Sequence, residues 1–411
     1  MRIVIPLFAC FLSSNLAQSF SPERRLFNKI TPLSVSTSAD EMTKETLFAD
    51  KTRSNVEEYY GKTLQTSSDL KTNACLTAGS PPKFIRECLK NVHPTVMAKY
   101  YGCGLCIPQY DLTGCNILDL GCGAGRDVYL AAQLVGANGR VVGVDMTDAQ
   151  LDVAREHQNY HAEKFGYKNT AFYKGYLESL SDVKELEKGS FDVIISNCVI
   201  NLCTDKEAVL KSCFELLKPG GELYFSDVYS NRRVPQVLRE DSVLWGECIS
   251  GALYWNDFEN LAKKCGFPDP RLVEDAPVTI KNKDVQELVE NQGHGGLEFY
   301  SATYRLFKMD ETLLEPACED YGQAVIYKGT IPRAATKWTL DKGHVFEQGK
   351  VHPVCGNTYN MCKHNPKIAP HFEFIGDFST HYGIFEGCGG GLPYDRNGAS
   401  VDKSGGAASC C

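Results

Sequence analysis

The stretch 117–127 has the residue types and the spacing to hold a nucleotide. It reads Ile-Leu-Asp-Leu-Gly-Cys-Gly-Ala-Gly-Arg-Asp, so an apolar run is followed by glycines at 121, 123 and 125. A buried strand that ends in a glycine turn and opens a helix lets the backbone approach a ligand closely at the helix N-terminus. The stretch therefore predicts a strand, a ligand-binding turn and a helix.

A second predicted strand supplies an acidic residue for the same site. Twenty residues after Gly125, the apolar run 141–144 ends in Asp145, and a carboxylate there can accept hydrogen bonds from ribose hydroxyls. This pairing predicts an adenosine site. A nicotinamide enzyme shares the layout, but its fingerprint is G-x-G-x-x-G, whereas the glycines here follow G-x-G-x-G. Asp119, at the end of the first strand, could contact the ligand or hydrogen-bond within the loop, and both interpretations stay open.

Thiols are the other reactive groups of this chain. There are 18 cysteines in 411 residues, and disulfide scaffolds of such density are usually short domains without a sufficient core. Because this chain can bury a large core, we interpret several cysteines as functional thiols in a reducing compartment. Cys198 follows a predicted strand, where the carboxyl ends of parallel strands open onto a ligand crevice. Taken singly, each cysteine could also be a buried core residue.

The elements that must position these groups alternate along the chain. Short apolar runs at 117–120, 141–144, 193–195 and 223–225 are separated by helical segments. This pattern is typical of a parallel sheet with crossover helices. The expected fold is therefore α/β.

Two of the intervening helices have predicted N-termini. Thr147 and Gln150 have the spacing of a capping box. Asp205 precedes a helical segment that ends at Lys-Pro-Gly-Gly, 218–221. We expect Thr147 and Asp205 to be N-caps.

Two of these motifs resemble those of the class I methyltransferases. The run 119–125 resembles their first motif, and 217–221 resembles a later loop. The resemblance implies a Rossmann-like core with a mostly parallel sheet, and S-adenosyl-L-methionine as the cofactor. It also implies that Asp145 holds the ribose and that Leu177 and Glu178 flank the adenine.

Four cysteine-bearing segments resemble the arsenite methyltransferases more closely. In chain order these segments are 65–75, 100–104, 196–202 and 244–248, and the likeness extends from about residue 59 to about residue 307. The resemblance implies an enzyme that transfers methyl groups to trivalent arsenic, which prefers thiolate ligands. It implies that Cys103, Cys198 and Cys248 bind arsenic(III) and that Cys75 exchanges a disulfide with these thiols, so that all four are catalytic.

The same resemblance assigns the cofactor contacts. The expected S-adenosyl-L-methionine residues are Tyr101, Asp119, Gly121, Cys122, Gly123, Asp145, Met146, Leu177, Glu178, Asn197 and Val199. Among them, the ring of Tyr101 could stabilise the sulfonium cation. Because methylation formally oxidises arsenic, a thiol reductant such as thioredoxin or glutathione must return electrons. The expected substrate is arsenite or its glutathione conjugate.

Other interpretations of the thiols stay open. The chain could methylate an organic small molecule, with structural cysteines, or it could sequester arsenic or another soft metal without catalysis. Cys103 and Cys106 form a C-x-x-C pair that could bind zinc or cycle as a dithiol, although no second pair completes a zinc site. A loose group of histidines at 344–381 could also bind a metal.

The composition and the N-terminal sequence limit the partners and the cellular location that we expect for the protein. The net charge of −8, without a basic block, argues against nucleic acid and anionic membranes as partners. Residues 1–20 resemble a cleavable signal, and 21–40 have the composition of a transit peptide. We expect a monomer in a plastid or another organelle, with the cytoplasm as the alternative.

These features predict five regions. The mostly parallel Rossmann-like core is expected to be joined by a smaller arsenic-binding domain and an irregular or β-rich C-terminal region. The boundaries are 1–44 for a targeting or disordered extension, 45–232 for the S-adenosylmethionine-binding domain with N-terminal helices, 233–300 for the arsenic(III)-binding domain, 301–398 for the C-terminal domain and 399–411 for a mobile tail with cysteines.

Overall fold

A computed structural model of the chain describes residues 39–63, 81–102, 104–280, 283–292 and 295–388. The chain divides into two units, 1–46 and 47–411. The helices are α1 Ala39–Glu58, α2 Lys83–Leu89, α3 Pro94–Ala98, α4 Arg126–Val135, α5 Asp148–Glu156, α6 Gln158–Phe165, α7 Lys206–Leu216, α8 Gln236–Arg239, α9 Ser242–Gly246, α10 Trp255–Lys264, α11 Lys283–Gln292 and α12 Gly356–His364. None of the helices in the described ranges is long and apolar enough to cross a membrane.

The strands follow the helices in the alternation that the sequence predicts. They are β1 Asn116–Leu120, β2 Arg140–Asp145, β3 Thr170–Lys174, β4 Phe191–Asn197, β5 Leu217–Ser230, β6 Leu253–Tyr254, β7 Arg271–Pro277, β8 Phe299–Phe307, β9 Glu319–Asp320, β10 Ala324–Tyr327, β11 Lys337–Asp341, β12 His344–Glu347, β13 Val351–Pro353, β14 Phe372–Ile375 and β15 Gly383–Ile384.

One large sheet organises the second unit. Its strand order is β3-β2-β1-β4-β5-β8-β7, and β6 pairs with β5. All pairs formed among β1 to β6 are parallel, whereas β8 pairs antiparallel with both β5 and β7. The predicted mostly parallel α/β fold is thereby confirmed. The parallel strands bring their carboxyl ends to one edge, where ligands of such sheets bind.

Both faces of the parallel strands are covered, which explains their continuous apolar runs. Ile117 of β1 packs in the same core cluster as Val128 of α4. The next residue, Leu118, packs on the opposite face with Val209 of α7. Successive side chains of a strand point to opposite faces, so helices on both sides fix the sheet and the loops at its edge.

The two predicted N-caps have different outcomes. Asp205 caps α7, because its Oδ1 accepts a hydrogen bond from Ala208 N–H at 2.9 Å. Thr147 occupies the N-cap position of α5, but its side chain makes no cap hydrogen bond, so the predicted capping box is wrong. Gln150 Nε2 donates instead to the carbonyl of Tyr60 at 3.0 Å. The side chains of Thr147 and Gln150 therefore do not cap the start of α5.

A buried ion pair joins the C-terminal region to the sheet. Arg305 of β8 donates to both carboxylate oxygens of Glu222 of β5, at 2.8 and 2.9 Å. The Nη1 atom of Arg305 donates a hydrogen bond to the carbonyl of Leu340 in β11 at 2.8 Å. The described C-terminal residues form small sheets, β13-β10-β14, β11-β12 and β15-β9, which agrees with the expected β-rich region.

Replacing Glu222 with alanine is expected to destabilise the protein by about 3–5 kcal/mol, because the guanidinium of Arg305 would stay buried without its carboxylate. Both side chains are at most 2% exposed. Urea unfolding monitored by circular dichroism measures the change. The matched control is Glu347→Gln, which breaks the exposed pair with Lys350 and is expected to change stability little. Equal midpoints for the two variants would contradict the importance of the buried pair.

Candidate active site

The carboxyl ends of β1, β2 and β4 open onto a cavity of about 1000 Å³. The lining includes every residue that the sequence assigns to the cofactor, namely Tyr101, Asp119, Gly121, Cys122, Gly123, Asp145, Met146, Leu177, Glu178, Asn197 and Val199. Cys198 lies on the same wall. These residues come from separate segments of the chain, so the parallel sheet is what brings them together.

The glycine loop has a backbone that other residues adopt only with strain. Gly121, Gly123 and Gly125 have φ values of 67°, 51° and 88°, in the left-handed region that favours glycine. A Cβ at Gly121 would overlap the side chain of Val199. The loop therefore needs glycine both for its turn and for its close packing against the segment that follows β4.

Asp145 is held between the glycine loop and α5. Its Oδ2 accepts a hydrogen bond from Gly123 N–H at 2.9 Å, and its Oδ1 accepts one from Thr147 N–H at 2.8 Å. Desolvation raises the pKa of Asp145, and these backbone N–H groups act in the opposite direction. The carboxylate is thus fixed on the wall of the cavity, and its contact with a ribose stays a prediction.

The shape of the loop fits an adenosyl group. A Cβ added at Gly123 would meet nothing closer than Oε1 of Gln150, at 3.8 Å, so this face of the loop is open. The same oxygen of Gln150 is buried and has no hydrogen-bond partner among the described residues. Buried polar atoms are almost always paired, and a ligand with donor groups would supply the partner. The residues present therefore fit S-adenosyl-L-methionine.

A polar network closes the cavity beyond β4. The amide of Asn197 donates to the carbonyl of Gly104 at 2.9 Å and to Asp127 at 3.2 Å. Arg126 Nε donates to the same carboxylate at 2.8 Å, and its guanidinium lies 3.1 Å from the ring centroid of Tyr100. These contacts attach the segment around Tyr100 to the carboxyl end of β4.

Asp119 lies on the cavity wall and is 3% exposed. Burial, followed by the nearby carboxylates of Asp127 and Asp145, raises its pKa well above the usual value. The position favours contact with a ligand over a purely structural role in the loop.

Two of the four predicted catalytic cysteines lie side by side. The Sγ atoms of Cys198 and Cys248 and a carboxylate oxygen of Asp227 all lie within 4.8 Å of one another. Cys248 Sγ also donates a hydrogen bond to the carbonyl of Cys198 at 3.2 Å, and Cys198 is disulfide-bonded. Cys75 and Cys103, the other two predicted catalytic residues, lie outside the described residues.

The backbone of both cysteines is strained. Cys198 has a φ of 57° and Cys248 has a φ of 63°, and a residue other than glycine pays about 1–2 kcal/mol for this conformation. Backbone hydrogen bonds hold each turn: Cys198 N–H donates to Ser226 at 2.8 Å, and Cys248 N–H donates to Trp245 at 3.0 Å. Strain of this kind is retained where the surrounding structure enforces it, and it is concentrated at functional sites.

An apolar shell encloses the two thiols. Cys198 is 2% exposed and Cys248 is fully buried. The side chains that share their cluster are Val228, Val234, Leu238, Leu244, Ile249, Ala252, Val289 and Phe299. These come largely from the segment 233–300, which the sequence assigns to arsenic binding. The surroundings provide little solvation for a charged group.

Asp227 is a site residue that the sequence reasoning missed. It lies at the carboxyl end of β5, and burial raises its pKa to about 7. Its two oxygens accept hydrogen bonds from the backbone N–H groups of Asn201 and Val228, each at 2.9 Å. An acidic residue inside an otherwise apolar run, next to the edge where parallel strands end, was the signal that could have identified it.

The remaining candidate metal ligands do not gather in the described part of the chain. There, Cys198, Asp227 and Cys248 form the one set of three close ligand groups, and the histidines at 344–381 form none. Cys106 is buried, and burial raises the pKa of its thiol well above the usual value. Its C-x-x-C partner, Cys103, lies outside the described residues.

Comparison with known proteins agrees with this geometry. A family model described as a methyltransferase domain matches residues 111–266, and another, described as a domain of unknown function (DUF8838), matches 315–379. The crystal structure of an arsenic(III) S-adenosylmethionine methyltransferase from Chlamydomonas reinhardtii covers 75% of this chain and 100% of its own, with 47% identity and a TM-score of 0.70. The fold therefore has a structural counterpart over three quarters of this chain.

Curated relatives extend the likeness over most of the chain. The arsenite methyltransferase of Mus musculus is 44% identical over 329 residues, which is 79% of this chain and 84% of that protein. The arsenite methyltransferase of Aquipseudomonas alcaligenes is 60% identical over 357 residues, which is 87% of this chain and 99% of that protein. With identity at this level over nearly the whole of a relative, and with two predicted arsenic ligands beside the cofactor cavity, the chain belongs to the arsenite methyltransferase family.

Proposed function

We propose that this enzyme transfers methyl groups from S-adenosyl-L-methionine to trivalent arsenic bound by Cys103, Cys198 and Cys248. The observation that carries the proposal is the approach of the Cys198 and Cys248 sulfurs within 4.8 Å, with Cys198 on the wall of the cavity that fits the cofactor. Soft trivalent arsenic prefers such sulfur ligands. A thiol pair at the end of an adenosyl cavity is the arrangement that arsenic methylation needs.

Binding of arsenite is a ligand exchange at these thiols. Each bond between arsenic and a hydroxyl group is replaced by a bond to a cysteine sulfur, and each thiol proton leaves with the hydroxyl as water. The arsenic keeps a lone pair that can accept a methyl group, so no general base is required at this step. Fixing the arsenic beside the cofactor makes the transfer effectively unimolecular. S-adenosyl-L-methionine, when bound, supplies a methyl group that is activated by the positive sulfur.

The thiols also supply the two electrons that arsenic formally loses when it is methylated. Forming a carbon–arsenic bond with the lone pair oxidises arsenic formally by two electrons, and two thiols return these electrons when they join in a disulfide. We assign this role to Cys75 and Cys103: the Cys75 thiolate attacks the sulfur of Cys103, the bond from that sulfur to arsenic breaks with its electron pair left on arsenic, and thioredoxin or glutathione reduces the Cys75–Cys103 disulfide afterwards. Cys198 is disulfide-bonded in the structure, so this bond must be reduced before Cys198 can bind arsenic as a thiolate.

The decisive test is product formation from labelled cofactor. The purified, reduced chain is incubated with methyl-labelled S-adenosyl-L-methionine, arsenite and glutathione, and the arsenic species are separated and counted. We expect labelled methylated arsenicals. Arsenite bound without transfer of label would indicate a sequestering protein, and label in an added organic acceptor but not in arsenic would indicate a different methyltransferase.

Asp227 is proposed as a positioning residue for the thiol site. Its carboxylate accepts a hydrogen bond from the backbone N–H of Asn201 at 2.9 Å. The side-chain amide of Asn201 in turn donates to the carbonyl of Val228 at 2.5 Å and to the carbonyl of Cys248 at 3.5 Å. The carboxylate thereby acts on the turn that carries Cys248, without itself needing to bind arsenic.

Replacing Asp227 with asparagine is expected to raise the KM for arsenite about 10- to 100-fold, because groups that orient metal ligands typically contribute that much. The KM for S-adenosyl-L-methionine should stay the same. Steady-state kinetics with each substrate varied separates the two effects. The matched control is Asp192→Asn, since Asp192 also accepts a backbone N–H, from Asn116 at 2.8 Å, away from the thiols. An unchanged KM for arsenite in Asp227→Asn would contradict the assignment.

The regional organisation is proposed on the same basis. We assign 45–232 to cofactor binding, 233–300 to arsenic binding and 301–398 to a C-terminal domain, with 1–44 as a targeting extension and 399–411 as a cysteine-bearing tail. The N-terminal composition supports an organelle address, and the charge of −8 without a basic block supports a chain that does not bind nucleic acid or anionic membranes. We also propose a monomer that acts on arsenite or its glutathione conjugate. Fluorescence microscopy of the chain fused to a reporter, with and without residues 1–44, tests the address.

A further inference from the structure

A second cavity lies beside the central sheet and encloses about 1360 Å³. It is bounded by the carboxyl end of β5, by α10, by β7 and β8, and by the turn between β11 and β12. Its lining residues are Tyr229, Ser230, Asn231, Trp255, Glu259, Leu272, Asp275, Tyr300, Ala302, Tyr304, Asp341, Lys342 and Gly343. It shares no lining residue with the cofactor cavity, so arsenic methylation as described above does not use it.

Aromatic side chains dominate the walls of this second cavity. The rings of Tyr229 and Tyr304 pack edge to face, with centroids 5.2 Å apart. Tyr300 lies at the rim, and Trp255 remains 44% exposed. Large aromatic side chains bury much of their surface in most proteins, so an indole left open at the mouth of a cavity offers a face to a ligand.

The ionisable side chains that line the cavity carry a net negative charge. Glu259 is half-buried and has neither a hydrogen bond nor an ion pair to another described residue, and burial raises the pKa of its carboxyl group. Asp275 forms an ion pair with Lys342, the one cation among the lining residues. Since that ammonium group is already paired, the cation that acts on Glu259 is Lys263, one turn further along α10, and Lys263 does not line the cavity.

A buried hydroxyl adds an unsatisfied polar group. Ser230 is 1% exposed, and its Oγ has no hydrogen-bond partner among the described residues. Native proteins rarely leave such an atom unpaired unless a ligand or a water completes its hydrogen bonds. The cavity thus combines aromatic walls, a half-buried carboxylate without a hydrogen bond or ion pair to another described residue, and an unsatisfied hydroxyl.

We propose that this cavity binds a small organic cation with a methylated onium head group. Aromatic faces attract such cations through the ring quadrupole, and the carboxylate of Glu259 supplies the opposite charge. An anion would be repelled by the same carboxylate. A hydrated inorganic cation would gain little from the rings, whose contribution depends on direct contact with a weakly hydrated head group.

The test compares choline with its neutral analogue 3,3-dimethylbutan-1-ol, which has the same shape without the charge. Trp255 is the most exposed of the three tryptophans, since Trp245 and Trp338 are buried, so tryptophan fluorescence of the full chain reports binding. We expect saturable quenching by choline, with an affinity at least about tenfold higher than that of the alcohol. Equal affinities, or the absence of saturation with either compound, would overturn the proposal.

A pair of variants tests the role of the carboxylate. Glu259→Gln is expected to weaken choline binding about five- to tenfold, whereas Glu163→Gln, on the exposed face of α6, should leave it unchanged. Saturation-transfer NMR of the choline methyl protons gives a second readout, and it should persist when Trp255→Phe removes the contribution of Trp255 to the fluorescence. Equal choline affinity in Glu259→Gln and the unchanged chain would contradict the assignment, and thermal unfolding of each variant confirms that it is folded.

Discussion

Replacing Cys248 with serine is expected to lower the rate of arsenite methylation by at least about a hundredfold. A hydroxyl is a poor ligand for a soft centre such as trivalent arsenic, and a displacement of the bound atom by a single ångström already costs about two orders of magnitude in rate. Cys198→Ser should have a similar effect, because the two sulfurs lie within 4.8 Å of one another. Rates are measured as labelled methylarsenicals formed under saturating cofactor.

The controls for this prediction separate chemistry from folding. Cys88→Ser changes a partly exposed thiol that does not line the cofactor cavity, and it should leave the rate within about twofold, as surface substitutions usually do. Isothermal titration of each variant with S-adenosyl-L-methionine should give unchanged affinity. Full activity in either Cys198→Ser or Cys248→Ser would remove that thiol from the arsenic site.

Replacing Asp145 with asparagine is expected to weaken binding of S-adenosyl-L-methionine by about a hundredfold. The carboxylate accepts hydrogen bonds from Gly123 N–H and Thr147 N–H, and hydrogen bonds to a charged group contribute about 1.5–3 kcal/mol each. An amide nitrogen turned toward either N–H group cannot accept, so the glycine loop would lose its anchor. Isothermal titration calorimetry with the cofactor measures the loss directly.

An acidic residue nearby provides the matched control. Asp148, at the first position of α5, forms an exposed pair with Lys174. Asp148→Asn should leave the cofactor affinity unchanged, whereas arsenite binding should survive in both variants. If Asp145→Asn binds the cofactor as tightly as Asp148→Asn does, the role assigned to Asp145 is wrong.

The cofactor side of the site could be predicted from the sequence because its signals are local. The glycine loop needs left-handed φ angles that only glycine adopts freely, and Asp145 follows it at a spacing set by one strand and one helix. Such constraints act over short stretches of chain. The alternation of apolar runs similarly gave the parallel strands, because strands covered on both faces have few polar positions.

The arrangement of the arsenic-binding cysteines depends on packing between segments that are distant in the chain, and no local sequence pattern predicts such packing. Cys198 and Cys248 are separated by α7, β5 and two short helices, and only the resemblance to a family paired them. Asp227 was missed because an isolated acid in a strand has no periodic signature. Thr147 and Gln150 have capping-box spacing, yet Gln150 bonds Tyr60, a partner brought close only by the folded chain.

The apolar shell around Cys198 and Cys248 bears on which ions the site can admit. Arsenite enters as the neutral trihydroxide and leaves three waters behind, so the captured atom adds no net charge to the protein interior. A divalent metal ion would have to shed its hydration shell among valine and leucine side chains, at a cost of several kcal/mol, and the one further ligand group close to the sulfurs in the described part of the chain, the Asp227 carboxylate, is already held by two backbone N–H groups. Selectivity against abundant metal ions that bind thiols would then come from the exclusion of water by the apolar shell. Polar substitutions in that shell would lower this selectivity, although every sulfur ligand would stay in place.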